Sequence, residues 1–138
     1  MDTYTNGVHV GYSVLFLLVF SLCNLGLSHR VHVSIKNSLG NGKIMNIHCQ
    51  SKDTDLGQQN VTDGNQIGWD FSPNAWGTTL FFCDLDWQNV QQYHFDAYSY
   101  QRDFARCEDQ CSWLISTEGM YGFNGKTGFW EFMYYWPS

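Results

Sequence analysis

Proline occurs only twice in the 138 residues, charged side chains make up 14%, and Lys and Arg together number seven. Each shortage removes a class of protein. So few basic residues, with no run of them, leave no way to neutralise a nucleic-acid backbone. No polybasic or amphipathic stretch offers contact with a membrane surface. Patterns of the G-x-S-x-G, H-E-x-x-H and phosphate-loop kinds are missing, so we expect no enzyme activity and no cofactor. No segment shows a convincing helical period. The two prolines, Pro73 and Pro137, leave the apolar runs uninterrupted.

What the chain does have begins with a leader. Val14–Cys23 (VLFLLVFSLC) is an unbroken apolar run, and Gly26 and Ser28 stand at the −3 and −1 positions of a cleavage site. The run is long enough for a secretory signal and short of the roughly 18 residues that span a bilayer. Residues 1–28 are therefore assigned as a signal peptide, with cleavage after Gly26 as the alternative, although no Lys or Arg precedes the apolar run. The mature chain of 110 residues (138 less 28) then has seven basic and twelve acidic residues, a net −5. No membrane insertion is expected of it.

Within the mature part the hydrophobic rhythm has period two, the signature of half-buried strands. Val31, Val33 and Ile35 alternate with polar neighbours. After the turn at Gly40–Gly42, Met45, Ile47 and Cys49 do the same. Ile67, Trp69 and Phe71 follow the Asp63-Gly64 turn, and residues 79–87 (TLFFCDLDW) begin nearly all apolar, as a central strand covered on both faces would. Further alternation over 93–99 and 111–115, and the turns at Glu118-Gly119 and Asn124-Gly125, complete seven or eight antiparallel strands. The expected fold is all-β: a small disulfide-stapled β-sandwich of immunoglobulin-like architecture.

Cys23 falls in the leader, leaving Cys49, Cys83, Cys107 and Cys111. An even set in a short exported chain reads as two disulfides, with three connectivities possible. We expect Cys49–Cys111 with Cys83–Cys107, tying the sandwich at two places. Cys49–Cys107 with Cys83–Cys111 is the alternative, and a Cys107–Cys111 bridge would refute both. Asn60-Val61-Thr62 is a glycosylation sequon in a polar stretch, so Asn60 is the expected glycan site.

Several residues look like chemistry until their neighbours are counted. His48 and Cys49 are adjacent in a strand and point to opposite faces, which suits neither a shared metal nor a Cys–His nucleophile. Asp53 and Asp55 suggest a calcium loop, but the twelfth position from Asp53 is Gly64, where such a loop needs Glu. No metal is expected. Asp84 and Asp86 share one strand face and could serve hydrolysis, or simply be its wet side. Trp76, Trp87, Trp130, Tyr134, Tyr135 and Trp136 could stack on sugars, or supply the bulk a small core needs. The last run, FWEFMYYW (129–136), has large aromatics on both faces, so one face meets either more of the chain or a partner.

An ordered series of residues carries a resemblance. Asn37, HCQSKDTDLG at 48–57, Trp69-x-Phe71 with Pro73-Asn74, and GTTLFFC at 77–83 come first. Trp87, Phe95-x-x-Tyr98, Arg102-Asp103, Arg106-Cys107, Cys111-x-Trp113, Glu118-Gly119 and Tyr121 follow. The series is similar to the plant self-incompatibility protein family, the S-protein homologues. The resemblance implies a secreted, glycosylated, non-catalytic ligand, monomeric and extracellular, perceived by a plasma-membrane receptor protein, with rejection of self pollen the outcome in poppy. On polarity and turn position, the receptor contacts are expected at Lys52, Asp53, Asp55, Glu108 and Asp109. The connections 52–65, 88–92 and 108–110 would carry them. A carbohydrate- or cell-wall-binding module is the rival reading.

Overall fold

The computed structural model describes residues 29–138, so the leader assignment lies outside the described residues. In chain order the elements are β1 (Val31–Asn37), β2 (Met45–Gln50), β3 (Asp55–Val61), β4 (Gln66–Phe71) and β5 (Leu80–Trp87). Then come β6 (Val90–Ser99), a short helix α1 (Tyr100–Arg106), β7 (Gln110–Ile115), β8 (Gly119–Asn124) and β9 (Phe129–Tyr135). They form two sheets, β4-β1-β7-β8-β9 and β3-β2-β5-β6. Every ladder is antiparallel except β1 with β7, which is parallel. The all-β sandwich is as expected, but it has nine strands among the described residues in place of the expected seven or eight, and the β1–β7 ladder is parallel where the expectation is antiparallel throughout. Two elements, β3 and α1, are not announced by the hydrophobic rhythm.

Alternation builds the core. Val31, Val33 and Ile35 from one sheet face Met45, Ile47, Phe81, Cys83 and Leu85 from the other, all buried. Burying side chains of this size stabilises by about 1.5–3 kcal/mol each. Trp113 of β7 is fully buried, and its indole N–H donates to Ala97 O at 2.9 Å. That bond removes the usual penalty of enclosing a polar group. β5 is less covered than its sequence suggests: Phe82 and Asp84 lie on the outer face, half exposed, and Leu80 is exposed.

The disulfides differ from the expected pairing. They are Cys49–Cys83 and Cys107–Cys111. Cys49 and Cys83 are direct partners on the inner face of the β2–β5 ladder, with Cα atoms 4.1 Å apart. Both lie in one sheet, so the bridge staples neighbouring strands and does not cross the core. Cys107 caps the end of α1 and Cys111 is the second residue of β7; the turn between them, with Glu108 at φ 52°, brings them back together. Sequence separations of 34 and 4 residues give loop-closure contributions of about 4 and about 2 kcal/mol.

Two buried polar side chains hold the two ends of the sandwich. Asn37, at the end of β1, donates to Lys43 O (2.8 Å) and Val61 O (2.9 Å) and accepts from Leu39 N (2.9 Å). One amide thereby joins β1, the β1–β2 connection and the end of β3. At the opposite end Asp103 of α1 is wholly buried and accepts from Ser99 N, from Arg102 Nε and Nη2, and from Arg106 Nε, all at 2.6–2.9 Å. Both guanidinium groups lie over the Trp113 ring, 5.1 and 4.8 Å from its centroid. Arg102 Nη1 continues to Tyr134 Oη, and Arg106 Nη1 to Phe123 O. Seven residues are too few for a helix to stand alone, and here inward charges rather than an apolar stripe dock it.

Candidate functional site

Strand directions gather the connections at two ends. The β2–β3 turn (51–54), the loop 72–79, α1, the turn 107–109 and the turn 125–128 share one end, here called the helix end. The connections 38–44, 62–65, 88–89 and 116–118 share the far end. The helix end is bound into one unit by α1: Asp103 O accepts from Cys107 N and Glu108 N, and Arg106 O accepts from Gly125 N at 2.8 Å.

The expected contact residues divide. Lys52 and Asp53 lie exposed in a tight turn in which Ser51 N donates to Thr54 O (2.7 Å) and Ser51 Oγ accepts from Asp53 N and Thr54 N. Glu108 and Asp109 are exposed in the disulfide-closed turn, and Asp109 O holds His32 N at 2.8 Å. These four share the helix end, on opposite sheets. Asp55 is different: it opens β3, sits 2.5 Å from His48 Nε2 and accepts from Gly57 N. The His48 hydrogen bond, then the Gly57 N–H, hold its carboxyl below the usual range. Its side chain is 62% exposed and also ties β3 to β2 through His48.

Two of the expected connections are also revised. The stretch 52–65 is interrupted by β3, since polar residues on an edge strand need no apolar alternation to keep their ladder. The stretch 88–92 shrinks to a two-residue turn at the far end, closed by Gln92 N donating to Asp86 Oδ1 at 2.7 Å. Asp84 pairs with His94 Nδ1 at 2.9 Å on the same outer face. Both acids therefore serve β5–β6 pairing. Asn60 stands exposed on the outer edge of β3, near the far end.

The six singled-out aromatics divide as well. Trp87 is buried and Trp136 packs edge-on against it, while Tyr134 stacks on Trp113. Trp130 and Tyr135 lie exposed on β9, tilted against Phe123 and Phe132. Trp76 stands apart: it is 88% exposed, the highest value among the exposed large hydrophobics, and it joins no ring pair among the described residues. Its loop is nonetheless fixed. Asn74 N donates to Thr79 Oγ1 (2.8 Å), Asn74 Nδ2 to Thr78 Oγ1 (2.9 Å), and Thr78 N to Asn74 Oδ1 (3.0 Å). Gly77 adopts φ 70° with the Tyr100 ring against it, where a Cβ would meet Tyr100 at 2.9 Å. Pro73-Asn74 and Gly77 are turn residues, and that signal would have placed Trp76 on a loop tip and not in the core.

A two-sheet sandwich with a bridge inside one sheet, a second bridge closing a turn, and loops locked by side chains at one end is a small disulfide-stapled scaffold of the extracellular type. The chain belongs to the plant self-incompatibility protein S1 family, whose model it matches over residues 32–136. It is 36% identical over 125 residues to self-incompatibility protein S1 of Papaver rhoeas, covering 90% of each chain. It is 33% identical over 120 residues to S-protein homolog 19 of Arabidopsis thaliana, covering 86% of this chain and 87% of that one. A solved self-incompatibility protein homologue, from a family described as small, highly stable, secreted plant proteins, shares the fold with a TM-score of 0.61. That match has 20% identity and covers 80% of this chain and 96% of the other.

Proposed function

We propose that the chain is a secreted, non-catalytic cell–cell signalling ligand, cleaved after residue 28 and read by a plasma-membrane receptor protein through the helix-end loops. In poppy the similar protein bears the name of self-incompatibility, which is recognition between cells. The observation that carries the reading is the exposure of Lys52, Asp53, Glu108 and Asp109 on turns fixed from within by Ser51 and Asp103. Fixed turns lower the ordering cost of binding, and charged rims govern association rate more than affinity. Asn60, near the far end, would carry its glycan away from that surface. The ligand acts as a monomer.

The test is binding of the purified mature chain to membranes of plant cells that respond to it. A Lys52→Gln, Asp53→Asn, Glu108→Gln, Asp109→Asn variant should keep its thermal midpoint and bind roughly tenfold more weakly, chiefly through slower association. Unchanged binding by the folded variant would refute the patch. Absence of saturable, protease-sensitive binding to any such membrane would refute the receptor.

A further inference from the structure

Between the β2–β3 turn and the 72–79 loop lies an open cleft lined by Lys52, Asp53, Thr78, Thr79, Leu80 and Phe82, with Ser51 and Asn74 completing it. Its polar groups are unevenly spent. The Asn74 amide spends one N–H on Thr78 Oγ1 and its oxygen accepts from Thr78 N, both inside its own loop. The hydroxyl oxygens of Ser51, Thr78 and Thr79 all accept backbone or amide N–H groups. Each of those hydroxyls still has its hydrogen, with no protein acceptor among the described residues. Lys52 and Asp53 form no ion pair among the described residues. The cleft therefore offers three hydroxyl donors, an ammonium donor and a carboxylate acceptor beside two partly exposed apolar side chains.

Trp76 stands on the same loop with its indole free. Trp130 and Tyr135 of β9 are tilted 55–60° against neighbouring rings; Trp76, 88% exposed, joins no ring pair among the described residues. An indole on the loop that supplies two of those hydroxyls, with a carboxylate on the facing turn, complements a pyranose, which has an apolar C–H face and a ring of hydroxyls that both donate and accept. An extended peptide would instead call for a row of unpaired backbone groups, which this cleft of side chains does not supply. The loop is already fixed by Asn74 and by Tyr100 against Gly77, so little ordering cost falls on binding.

We propose that this cleft, together with Trp76 on the loop that forms one side of it, is a binding site for a pyranose oligosaccharide. The site shares Lys52 and Asp53 with the proposed receptor surface, but its argument does not rest on that reading. The experiment is a titration of the purified mature chain, followed by amide chemical shifts, with three probes: cello-oligosaccharides, oligogalacturonides and a high-mannose glycan. Saturable shifts confined to residues 51–54 and 74–82 are expected with at least one probe. The responding probe then distinguishes neutral wall polymer, acidic wall polymer and glycoprotein glycan as the source. Trp76→Ala should weaken binding roughly tenfold or more, Trp76→Phe should retain most of it, and Trp130→Ala should leave it unchanged. Lys52→Gln should weaken the acidic probe alone. Because Trp76 is solvated, unaltered shifts elsewhere in the Trp76→Ala spectrum will certify its fold. Absence of saturable binding by all three probes, or binding that survives Trp76→Ala, overturns the proposal. No receptor takes part, so failure here and failure of the receptor reading are separate results.

Discussion

The two ends of the sandwich are held by different chemistry. At the far end one neutral amide, Asn37, ties three backbone groups and needs no partner side chain. At the helix end one carboxylate, Asp103, needs two arginines, a tryptophan face and a tyrosine hydroxyl around it. The neutral arrangement makes connections close. The ionic one docks a helix too short to dock by apolar contact, and that helix in turn fixes the turns that carry Glu108, Asp109 and Gly125. A buried charge network contributes little net stability over an apolar equivalent, but breaking one partner is costly. The end proposed to carry the contact surface is thus the end whose geometry depends on several side chains being right at once.

The largest expected effect comes from breaking the ionic centre. Asp103→Ala leaves two guanidinium groups without their carboxylate and should lower unfolding free energy by about 3–5 kcal/mol, measured by denaturant titration. Replacing Arg106 by Met in that background should recover part of the loss, since it removes the orphaned charge along with its partner. Asn37→Ala should cost somewhat less, about 2–4 kcal/mol, through stranded buried carbonyls and one N–H. No single second substitution should rescue it, because its partners are backbone. Equal rescue at both ends would dissolve the contrast.

The smallest effect is a pH response confined to the helix end. Burial, then the charge of Asp103 and the neighbouring Tyr100, push the Tyr98 hydroxyl up to about 12 from its ordinary 10.0. The folded state holds this proton more tightly than the unfolded chain. Its contribution is therefore fully present below pH 10 and is lost as the pH rises towards 12. Stability measured across that window should fall more steeply in the native chain than in Tyr98→Phe. Identical slopes would remove Tyr98 from the account.

Most of the scaffold was legible because period-two apolar positions are what a sandwich core requires, and β1, β2, β5 and β7 announce themselves that way. β3 did not, since DLGQQNV sits on a sheet edge and turns only Val61 fully inward. α1 did not, since its buried residues are Asp103 and Arg106, which an apolar pattern cannot reveal. Strand parity correctly turned Cys49 inward, yet parity cannot say whether the partner lies across the core or on the next strand. At the candidate site, polarity put Lys52, Asp53, Glu108 and Asp109 on exposed turns, which is where they lie. It could not show that Asp55 is tied to His48, or that an aromatic, Trp76, is 88% exposed.

The parallel pairing of β1 with β7 bears on how the chain reaches this state. Ser34 and Ser112, whose hydroxyls meet at 3.1 Å, are 78 residues apart in sequence. A vectorially delivered chain must therefore hold its first strand uncommitted on that side until nearly all the rest has emerged, and such long-range closure is slow. The β2–β5 staple needs only 34 residues and can oxidise well before then. Late closure leaves apolar surface open in the meantime, so yield in the export pathway should respond to chaperones that shield the early half.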